Sequence, residues 1–567
     1  MNKYIYIKIV LFLFFIAGSM ACKKQLDIGN PNDPSLKGNV VNETGIISLA
    51  KGIYINGFKN GDDWLGDSYF SLPYGYSEIM ADVVGADASN NQVSTMGVPD
   101  YLILDNGTKL INPSPQVNII RKFNTRPNTG NANNALYYQW LNMYALNNTC
   151  NVVLRYVNTI KYSGDSTTKA NTIKAWCYWW KGYAYSSIGS MYYSGLISDS
   201  TDESAANYIS KTNNNYLLHD KIIARSNFYY NKASDILKNG ILSTSDFSSI
   251  LAQLIPDVNK VGNGGVLTTD MWIRNINTML ARNILLNNLA PFVNKDPNAI
   301  ITKSSISTMT TSNWNDVLNL ASTGITSTDL VFTGRSAATN YIFSATGGTV
   351  SAKTGGGPNT STTFKVTERF IQNFKIGDLR KSNNFNTKTT YKNSFNYTTR
   401  YTPIDGGNGL IGVYNYVNRT AGAYELFIAG SYEENQLMLA EANIRLGNID
   451  VGLGYIDAVR TYQGSGLSAV ASTGLNLSDA MQELVQERRV ALVYRGLSFY
   501  DNRRWGWIYD ISKGGGSYNN TVVMVDGTVN VKAIINYNFM DYWDIPADET
   551  VLNPPSSSSA PVVNPNF

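Results

Sequence analysis

Histidine is almost absent from this 567-residue chain, which contains one histidine, His219, and three cysteines. A single histidine excludes metal sites built from several imidazoles, and it leaves any Ser-His-Asp or Cys-His system dependent on one residue. His219 lies in a polar, loop-like stretch, residues 216–220. No GxxxxGK[ST], HExxH or GxSxG string occurs. The sequence therefore predicts no catalytic residue, no metal site and no cofactor.

Charged residues are also scarce, at 16% of the chain, and the 46 Lys and Arg residues nearly balance the 42 Asp and Glu residues. Binding to a phosphate backbone needs a concentrated basic face, which a net charge of +4 spread over this length does not supply. Residues 407–412 spell GxGxxG, but the flanking residues lack the strand before and the helix after that a dinucleotide site requires. The composition argues against a nucleic-acid-binding protein, and residues 407–412 are interpreted as a glycine-rich loop.

Long apolar runs are missing, with one short exception at residues 9–16, which follow Lys3 and Lys8. That run is too short to span a membrane and fits the core of a secretion signal. Small residues then lead to Cys22, which predicts a lipoprotein signal over residues 1–21 and a lipid attached to Cys22. Ordinary cleavage near Ala21, with no lipid, is the alternative. The sequence predicts an exported protein bound to a membrane through its lipid anchor.

Helical and loop-like patterns divide the rest of the chain. Residues 22–40 are polar and turn-rich, which predicts a lipidated tether. Residues 41–290 have helical spacing and predict the first part of a helical body. Residues 291–430 are rich in Ser, Thr, Asn and Gly and predict a large loop-rich insertion with short strands. Residues 431–567 return to helices and end in a loop.

Glycines in the helical patterns have the spacing at which paired helices approach closely. Gly182, Tyr185 and Gly189 fit the tetratricopeptide template, as do Gly447 and Gly452 around a turn. Ordinary helix packing would also produce this spacing. The predicted fold class is mainly α, built from tetratricopeptide-like helical hairpins with the loop-rich insertion.

The two cysteines other than Cys22 flank a predicted helical hairpin. Cys150 and Cys177 lie at similar distances from the turn at Gly164. In an exported protein they could form a disulfide, or they could be two buried thiols that pack as small apolar groups.

Several motifs resemble those of SusD/RagB-type outer-membrane nutrient-binding lipoproteins, in the same order along the chain. The longest is residues 486–506, QERRVALVYRGLSFYDNRRWG. The others are residues 377–380 (GDLR), 439–442 (LAEA), 445–447 (RLG) and 179–183 (WWKGY), together with the start at Cys22.

The resemblance implies a function without catalysis. Proteins of this family capture nutrients, mainly glycans, and pass them to a SusC-type TonB-dependent transporter, on which the helical side sits as a lid. The expected protein is thus a surface-exposed outer-membrane lipoprotein that binds oligosaccharide. A peptide-binding, RagB-like lid of such a transporter is the alternative.

The charged residues of the longest motif alternate with large apolar residues, so some of them must point inward. Arginine and carboxylate side chains satisfy one another best in the interior as bidentate pairs. We expect a structural ion-pair network of Glu487, Arg488, Asp501, Arg503 and Arg504. Contact with a ligand is the alternative role.

Aromatic residues make up 12% of the chain. Rings borne on helices, such as Trp140, Trp176 and Trp179, are expected to lie in the core. Rings in polar, loop-like surroundings are better placed to stack on the C–H face of a sugar. The predicted ligand-binding candidates are Trp64, Tyr69, Tyr101, Trp314 and Tyr341.

Overall fold

The structure, a computed structural model, describes residues 42–55, 71–86, 95–124, 135–199, 214–260, 262–288, 309–334, 364–387, 397–403 and 426–567. Helices dominate this part of the chain. They are α1 (Glu43–Ile55), α2 (Ser71–Met80), α3 (Gln116–Asn124), α4 (Ala135–Tyr156), α5 (Ser166–Met191), α6 (His219–Asn239), α7 (Thr244–Leu254), α8 (Thr269–Asn287), α9 (Thr311–Ser322), α10 (Glu368–Ile371), α11 (Leu379–Asn384), α12 (Tyr432–Arg445), α13 (Ile449–Tyr462), α14 (Leu477–Ala491), α15 (Ser498–Arg504) and α16 (Ala547–Leu552). The predicted mainly helical fold is confirmed.

The helix starts carry polar caps that the sequence encodes locally. Asp165 accepts hydrogen bonds from the backbone of Thr167 and Thr168 at the start of α5. Ser431 does the same for Glu434 in α12, and Asn476 for Asp479 in α14. A side-chain oxygen at this position satisfies backbone N–H groups that have no partner within the helix.

Helix α5 is the centre of the helical body, because it packs against both α4 and α6. Its rings Trp176, Trp179 and Trp180 are fully buried. Trp176 meets Trp272 and Phe332 edge-on, Trp179 meets Phe332 at a tilt, and Trp180 meets Trp176 and Trp179 edge-on. Such ring arrangements bury large apolar areas in favourable geometry. The expectation that helix-borne tryptophans form the core holds for these rings.

Glycines let neighbouring helices approach closely, as the tetratricopeptide-like spacing predicts. A Cβ atom at Gly182 of α5 would lie 2.7 Å from the ring of Tyr230 in α6, and one at Gly189 would lie 3.0 Å from Ile223. In the second hairpin, a Cβ atom at Gly452 of α13 would lie 2.6 Å from the carbonyl oxygen of Ala440 in α12. Both hairpins therefore need glycine where their two helices come closest, because a side chain there would not fit.

A five-stranded sheet near the C-terminus is absent from the sequence-based prediction. The strands of the described residues are β1 (Val84–Ala86), β2 (Tyr101–Ile103), β3 (Lys109–Ile111), β4 (Ser194–Gly195), β5 (Leu217–Leu218), β6 (Thr333–Gly334), β7 (Phe364–Val366), β8 (Phe385–Thr387), β9 (Tyr397–Thr398), β10 (Tyr401–Pro403), β11 (Leu426–Phe427), β12 (Ser517–Met524) and β13 (Val529–Asn536). The sheet has the order β3-β2-β13-β12-β9, and its pairs are antiparallel. The expectation that the chain ends in a loop is wrong for residues 517–536.

Other boundaries also differ from the prediction. Helix α9 lies inside the segment expected to be loop-rich. His219 begins α6 instead of lying in a loop, and its ring stacks on Tyr542 at a centroid distance of 4.1 Å. Cys150 and Cys177 are free, buried thiols. Among the described residues, no helix is long and apolar enough to cross a membrane.

The glycine contacts predict opposite effects of two similar substitutions. Gly182→Ala should lower the free energy of unfolding by about 1–3 kcal/mol, because the new methyl group overlaps the Tyr230 ring. Gly454→Ala, in α13, should keep or raise stability, because a Cβ atom there meets nothing within 4 Å and alanine favours the helix. Urea unfolding of both variants is the measurement. Equal destabilisation by the two would contradict the packing argument.

Candidate ligand-binding cleft

Four of the six residues predicted for lipid attachment or ligand binding lie outside the described part of the chain. These are Cys22, Trp64, Tyr69 and Tyr341. Their roles stay predictions, as does the glycine-rich loop at residues 407–412.

Trp314 does not lie in a loop. The Thr310 side chain and Asn313 form a reciprocal capping box that starts α9, and Trp314 is therefore a first-turn residue of that helix. Its side chain is 5% exposed and belongs to a buried cluster with Val317, Met438 and Leu439. Trp314 is a core residue in this structure, and the expectation of a loop ring is wrong.

Tyr101 lies on β2, within the five-stranded sheet, and is partly buried. The ammonium nitrogen of Lys109, on the neighbouring strand β3, lies 3.6 Å from its ring centroid. A lysine at this distance already occupies one face of the ring through a cation–π contact. A ligand would therefore need the opposite face.

Four of the five residues expected in the ion-pair network make the predicted pairs in the interior. Arg488 donates to both oxygens of Asp501, at 3.0 and 3.1 Å. Arg504 donates to Asp501 at 2.7 Å and to both oxygens of Glu441, each at 2.7 Å. Glu487 accepts from Arg380 at 2.6 Å and from Arg460 at 2.9 Å. These pairs join α11, α12, α13, α14 and α15.

Arg503 differs from the prediction because it pairs with no carboxylate among the described residues. Its guanidinium donates to the backbone carbonyls of Ser190 at 2.7 Å, Asp541 at 2.9 Å and Leu286 at 3.2 Å. Carbonyls at the C-terminal end of a helix are left without backbone donors and carry partial negative charge. Arg503 therefore joins the ends of α5 and α8 to the C-terminal segment.

The pairs shift the acidity of the buried carboxylates. Burial alone would raise the pKa of Asp501, but Arg488 and Arg504 outweigh it and hold the pKa below its usual value. The same balance, with Arg504, lowers the pKa of Glu441. These carboxylates are therefore charged in the interior, and their charges are matched.

The pKa of Glu78, on α2, shifts in the opposite direction. Glu78 is fully buried, and desolvation raises its pKa to about 8, although hydrogen bonds from Ser498 and the Tyr494 backbone and the charge of Arg489 favour the carboxylate. Asp501 adds to the rise. Burial therefore outweighs these hydrogen bonds and the charge of Arg489 and keeps the pKa of Glu78 above its usual value.

An open cleft of about 430 Å³ lies beside this network. Its volume is within the range of small-molecule sites, about 300–1,000 Å³. Three segments and two single residues line it: α10 with the residues after it, one face of α14, the start of strand β12, and Trp507 and Tyr537. The lining is rich in amides, namely Gln372, Asn373, Gln482, Gln486, Asn519 and Asn520.

Several polar groups in the cleft are available to a ligand. Gln482 and Gln486 lie one helical turn apart on α14, which places them on the same face. The side chains of Gln482, Gln486, Trp507 and Tyr518 make no hydrogen bond to any residue that the structure describes. Trp507 is partly exposed and Tyr518 is 53% exposed. Aromatic faces and unused amides thus share one surface.

A distortion of β12 shapes the rim of the cleft. The pairing of β12 with β13 shifts register between Ser517 and Asn520 and again before Val522. Asn519, in between, has a φ of 58°, a left-handed conformation that asparagine tolerates well. Gln372 accepts a hydrogen bond from the Thr521 backbone at 2.6 Å and ties this rim to the segment after α10. Such irregularities redirect side chains away from the regular pleat.

Sequence reasoning missed this cleft. One signal was visible, the spacing of Gln482 and Gln486 on a predicted helix. The contributions of β12 and Trp507 were hidden because the C-terminal strands were not predicted. Neither a carboxylate nor an imidazole is among the described lining residues, and the described residues contain no cluster of three potential metal ligands.

The described residues thus form helical hairpins beside a cleft lined by amides, aromatic rings and guanidinium groups. Residues 363–558 match the model of the SusD family. The resemblance to SusD/RagB-type proteins is therefore confirmed. No curated protein matches the chain.

Solved structures share the fold over nearly the whole chain. A SusD superfamily protein from Bacteroides vulgatus ATCC 8482 is 16% identical, with a TM-score of 0.50, over 91% of this chain and 98% of the other. A SusD homolog from Bacteroides thetaiotaomicron VPI-5482 is 11% identical, with a TM-score of 0.51, over 92% and 97%. A protein crystallised with xylogluco-oligosaccharide is 14% identical, with a TM-score of 0.51, over 91% and 99%. At these identities the likeness establishes the fold.

The ion-pair network predicts a large effect of Asp501→Ala. Removing this carboxylate leaves Arg488 without its partner and Arg504 with Glu441 alone, which should lower the free energy of unfolding by about 3–5 kcal/mol. Asp257→Ala is the matched control, because the Asp257 side chain is 95% exposed and its pair with Lys260 is solvated. Denaturant unfolding of both variants measures the difference. A stable Asp501→Ala protein would show that the network is not structural.

The raised pKa of Glu78 predicts a pH dependence of stability. A carboxyl group whose pKa rises on folding stabilises the protein fully below its unfolded pKa, near 4.5, and this stabilisation is lost as the pH rises towards 8. The free energy of unfolding should therefore fall between pH 5 and pH 8. Glu78→Gln should reduce this fall and leave the smaller part contributed by Asp541, whose pKa burial raises to about 6. Unfolding curves at pH 5, 6.5 and 8 provide the measurement, and identical slopes in both proteins would contradict the assignment.

Proposed function

We propose that this protein captures oligosaccharide at the cell surface and delivers it to a SusC-type TonB-dependent outer-membrane transporter. In this proposal the lipid on Cys22 anchors the chain in the outer membrane, and the helical body contacts the transporter. Both steps follow the implications of the family, and neither requires catalysis.

The observation that supports sugar binding is the lining of the cleft. Hydroxyl groups of a saccharide both donate and accept hydrogen bonds, and side-chain amides offer both partners. The partly exposed ring of Trp507 provides an apolar face for the C–H groups of a sugar ring. The protein of similar fold that was crystallised with xylogluco-oligosaccharide supports the same ligand class.

The same lining favours binding over hydrolysis. Glycoside hydrolysis uses a pair of carboxyl groups on either side of the bond that is cut. The described lining residues carry amides, hydroxyls, aromatic rings and guanidinium groups. A saccharide held there would meet hydrogen-bond partners but no carboxyl pair.

Trp507→Ala should weaken oligosaccharide binding by about 1–3 kcal/mol, because a ring that stacks on the ligand would be lost. The assay is a glycan array followed by calorimetry on the soluble form that begins after Cys22. Phe228→Ala is the matched control, since Phe228 is a 40% exposed ring on α6 outside the cleft. Trp64→Ala, Tyr69→Ala and Tyr341→Ala in the same assay test the candidates predicted from the sequence.

Two results would contradict the proposal. Saturation by peptides with no response to sugars would identify the peptide-binding alternative. Loss of binding in Phe228→Ala but not in Trp507→Ala would remove the cleft as the site. Co-purification of the full lipidated chain with a SusC-type transporter from outer membranes tests the delivery step.

A further inference from the structure

Arg489 is a buried cation that faces the cleft. It lies in the last turn of α14, is 8% exposed and lines the cleft beside Trp507. Its one hydrogen bond to a described residue runs from Nη1 to the side-chain oxygen of Asn502, at 3.0 Å. No carboxylate of the described residues lies within 4 Å of its guanidinium. The Nε and Nη2 atoms therefore have hydrogen-bonding capacity left for a ligand.

Two of the neighbouring acidic groups, Asp82 and Asp501, are paired with other arginines. Asp82 receives a bidentate pair from Arg369, at 2.8 and 2.9 Å. Asp501 receives Arg488 and Arg504. Glu78 accepts hydrogen bonds from the Ser498 hydroxyl on both of its oxygens. Arg489 thus has no ion pair of its own at the floor of the cleft.

The pKa of Arg489 agrees with the lack of an ion pair. Burial lowers its pKa, and the more distant Tyr537, Asp82, Glu78 and Asp501 do not offset that effect. For Arg504, burial acts in the same direction, but Glu441 and Asp501 outweigh it and raise the pKa. A buried guanidinium without a counter-ion is unfavourable. An anion that enters the cleft would supply the missing partner.

We propose that Arg489 forms an anion subsite of the cleft, which recognises a carboxylate or sulfate group carried by an oligosaccharide. This inference rests on the proposed function. It narrows the ligand class from oligosaccharides in general to acidic ones, such as those that contain uronic acid or sulfated sugars.

The arrangement of the cleft fits a charged sugar unit. The guanidinium carbon of Arg489 lies 5.5 Å from the ring centroid of Trp507. Arg489 therefore covers part of this ring, and a sugar that stacks on the remaining exposed part of Trp507 would place a carboxylate or sulfate substituent near the guanidinium. Gln482 and Gln486, on the same helix, would bind the ring hydroxyls. A planar guanidinium binds such oxyanions with two parallel hydrogen bonds.

The alternative is that Arg489 is structural and only supports Trp507 and Asn502. The two roles predict different stabilities. If the charge is uncompensated, Arg489→Gln should keep or raise the melting temperature, because glutamine can still donate to Asn502. Arg488→Gln, one residue earlier, should lower it, because Arg488 is paired with Asp501.

The decisive experiment compares two ligands on the same protein. Trigalacturonate and the neutral trisaccharide made by reducing its carboxyl groups are titrated into the soluble form by calorimetry, with a sulfated trisaccharide as a third probe. We expect the wild-type protein to bind at least one of the acidic probes about tenfold or more tightly than the neutral one. Arg489→Gln should abolish that preference. Lys513→Gln, which removes the same charge outside the cleft, should keep it.

Each outcome bears on one proposal. Equal affinity of the wild-type protein for acidic and neutral probes overturns the anion subsite while the carbohydrate-binding function stands. A preference for acidic probes that survives in Arg489→Gln also overturns it, because the anion is then held elsewhere. Binding of peptides and of no saccharide overturns the proposed function itself. Equal affinity of the wild-type protein overturns the subsite even if Arg489→Gln fails to fold, and in that case Arg489→Lys, which keeps the charge but not the planar fork, replaces it as the variant that must weaken the acidic preference.

Discussion

The pairing of buried arginines with carboxylates organises the C-terminal half of this protein. Each of Glu441, Glu487 and Asp501 lies on a different helix and meets an arginine from another helix. In a low-dielectric interior these charges are tolerated only when the geometry is bidentate and every partner is present. The packing of helices α11 to α15 therefore has to keep these carboxylates paired with their arginines. That constraint fixes the position of helix α14, one face of which lines the cleft together with strand β12.

The parts of the fold that local rules encode were predictable. Helices α4, α5, α12 and α13 combine apolar periodicity with polar caps or close-packing glycines, so their positions follow from the sequence within a few residues. The C-terminal strands were not predictable in this way. Strand β12 contains Asn519 and Asn520 and a break in register, which conceal the alternation of a regular strand. Its position is set by pairing with β13 and by the Gln372 contact, which are not local.

The candidate site was harder to predict than the fold, because its residues come from segments that are far apart in sequence. The high aromatic content suggested that aromatic rings in loops bind the ligand. Trp314, however, is a core residue, and Lys109 already contacts one face of the Tyr101 ring. Trp507 follows directly on the motif that carries the family resemblance, within a run of structural residues. Trp507 becomes part of the cleft because α14 and β12, which are far from each other in sequence, line the same surface.

Two adjacent residues of helix α14 have different surroundings: Arg488 belongs to the ion-pair network, and Arg489 lines the cleft. Successive residues on an α-helix point about 100° apart, since the helix has 3.6 residues per turn. Arg488 therefore points into the network and meets Asp501, while Arg489 points towards the cleft. The network uses the nearby carboxylates and so leaves Arg489 without one. Arg489 has no ion pair among the described residues, and in the proposed function its charge would let this amide-lined cleft choose among sugars of similar shape.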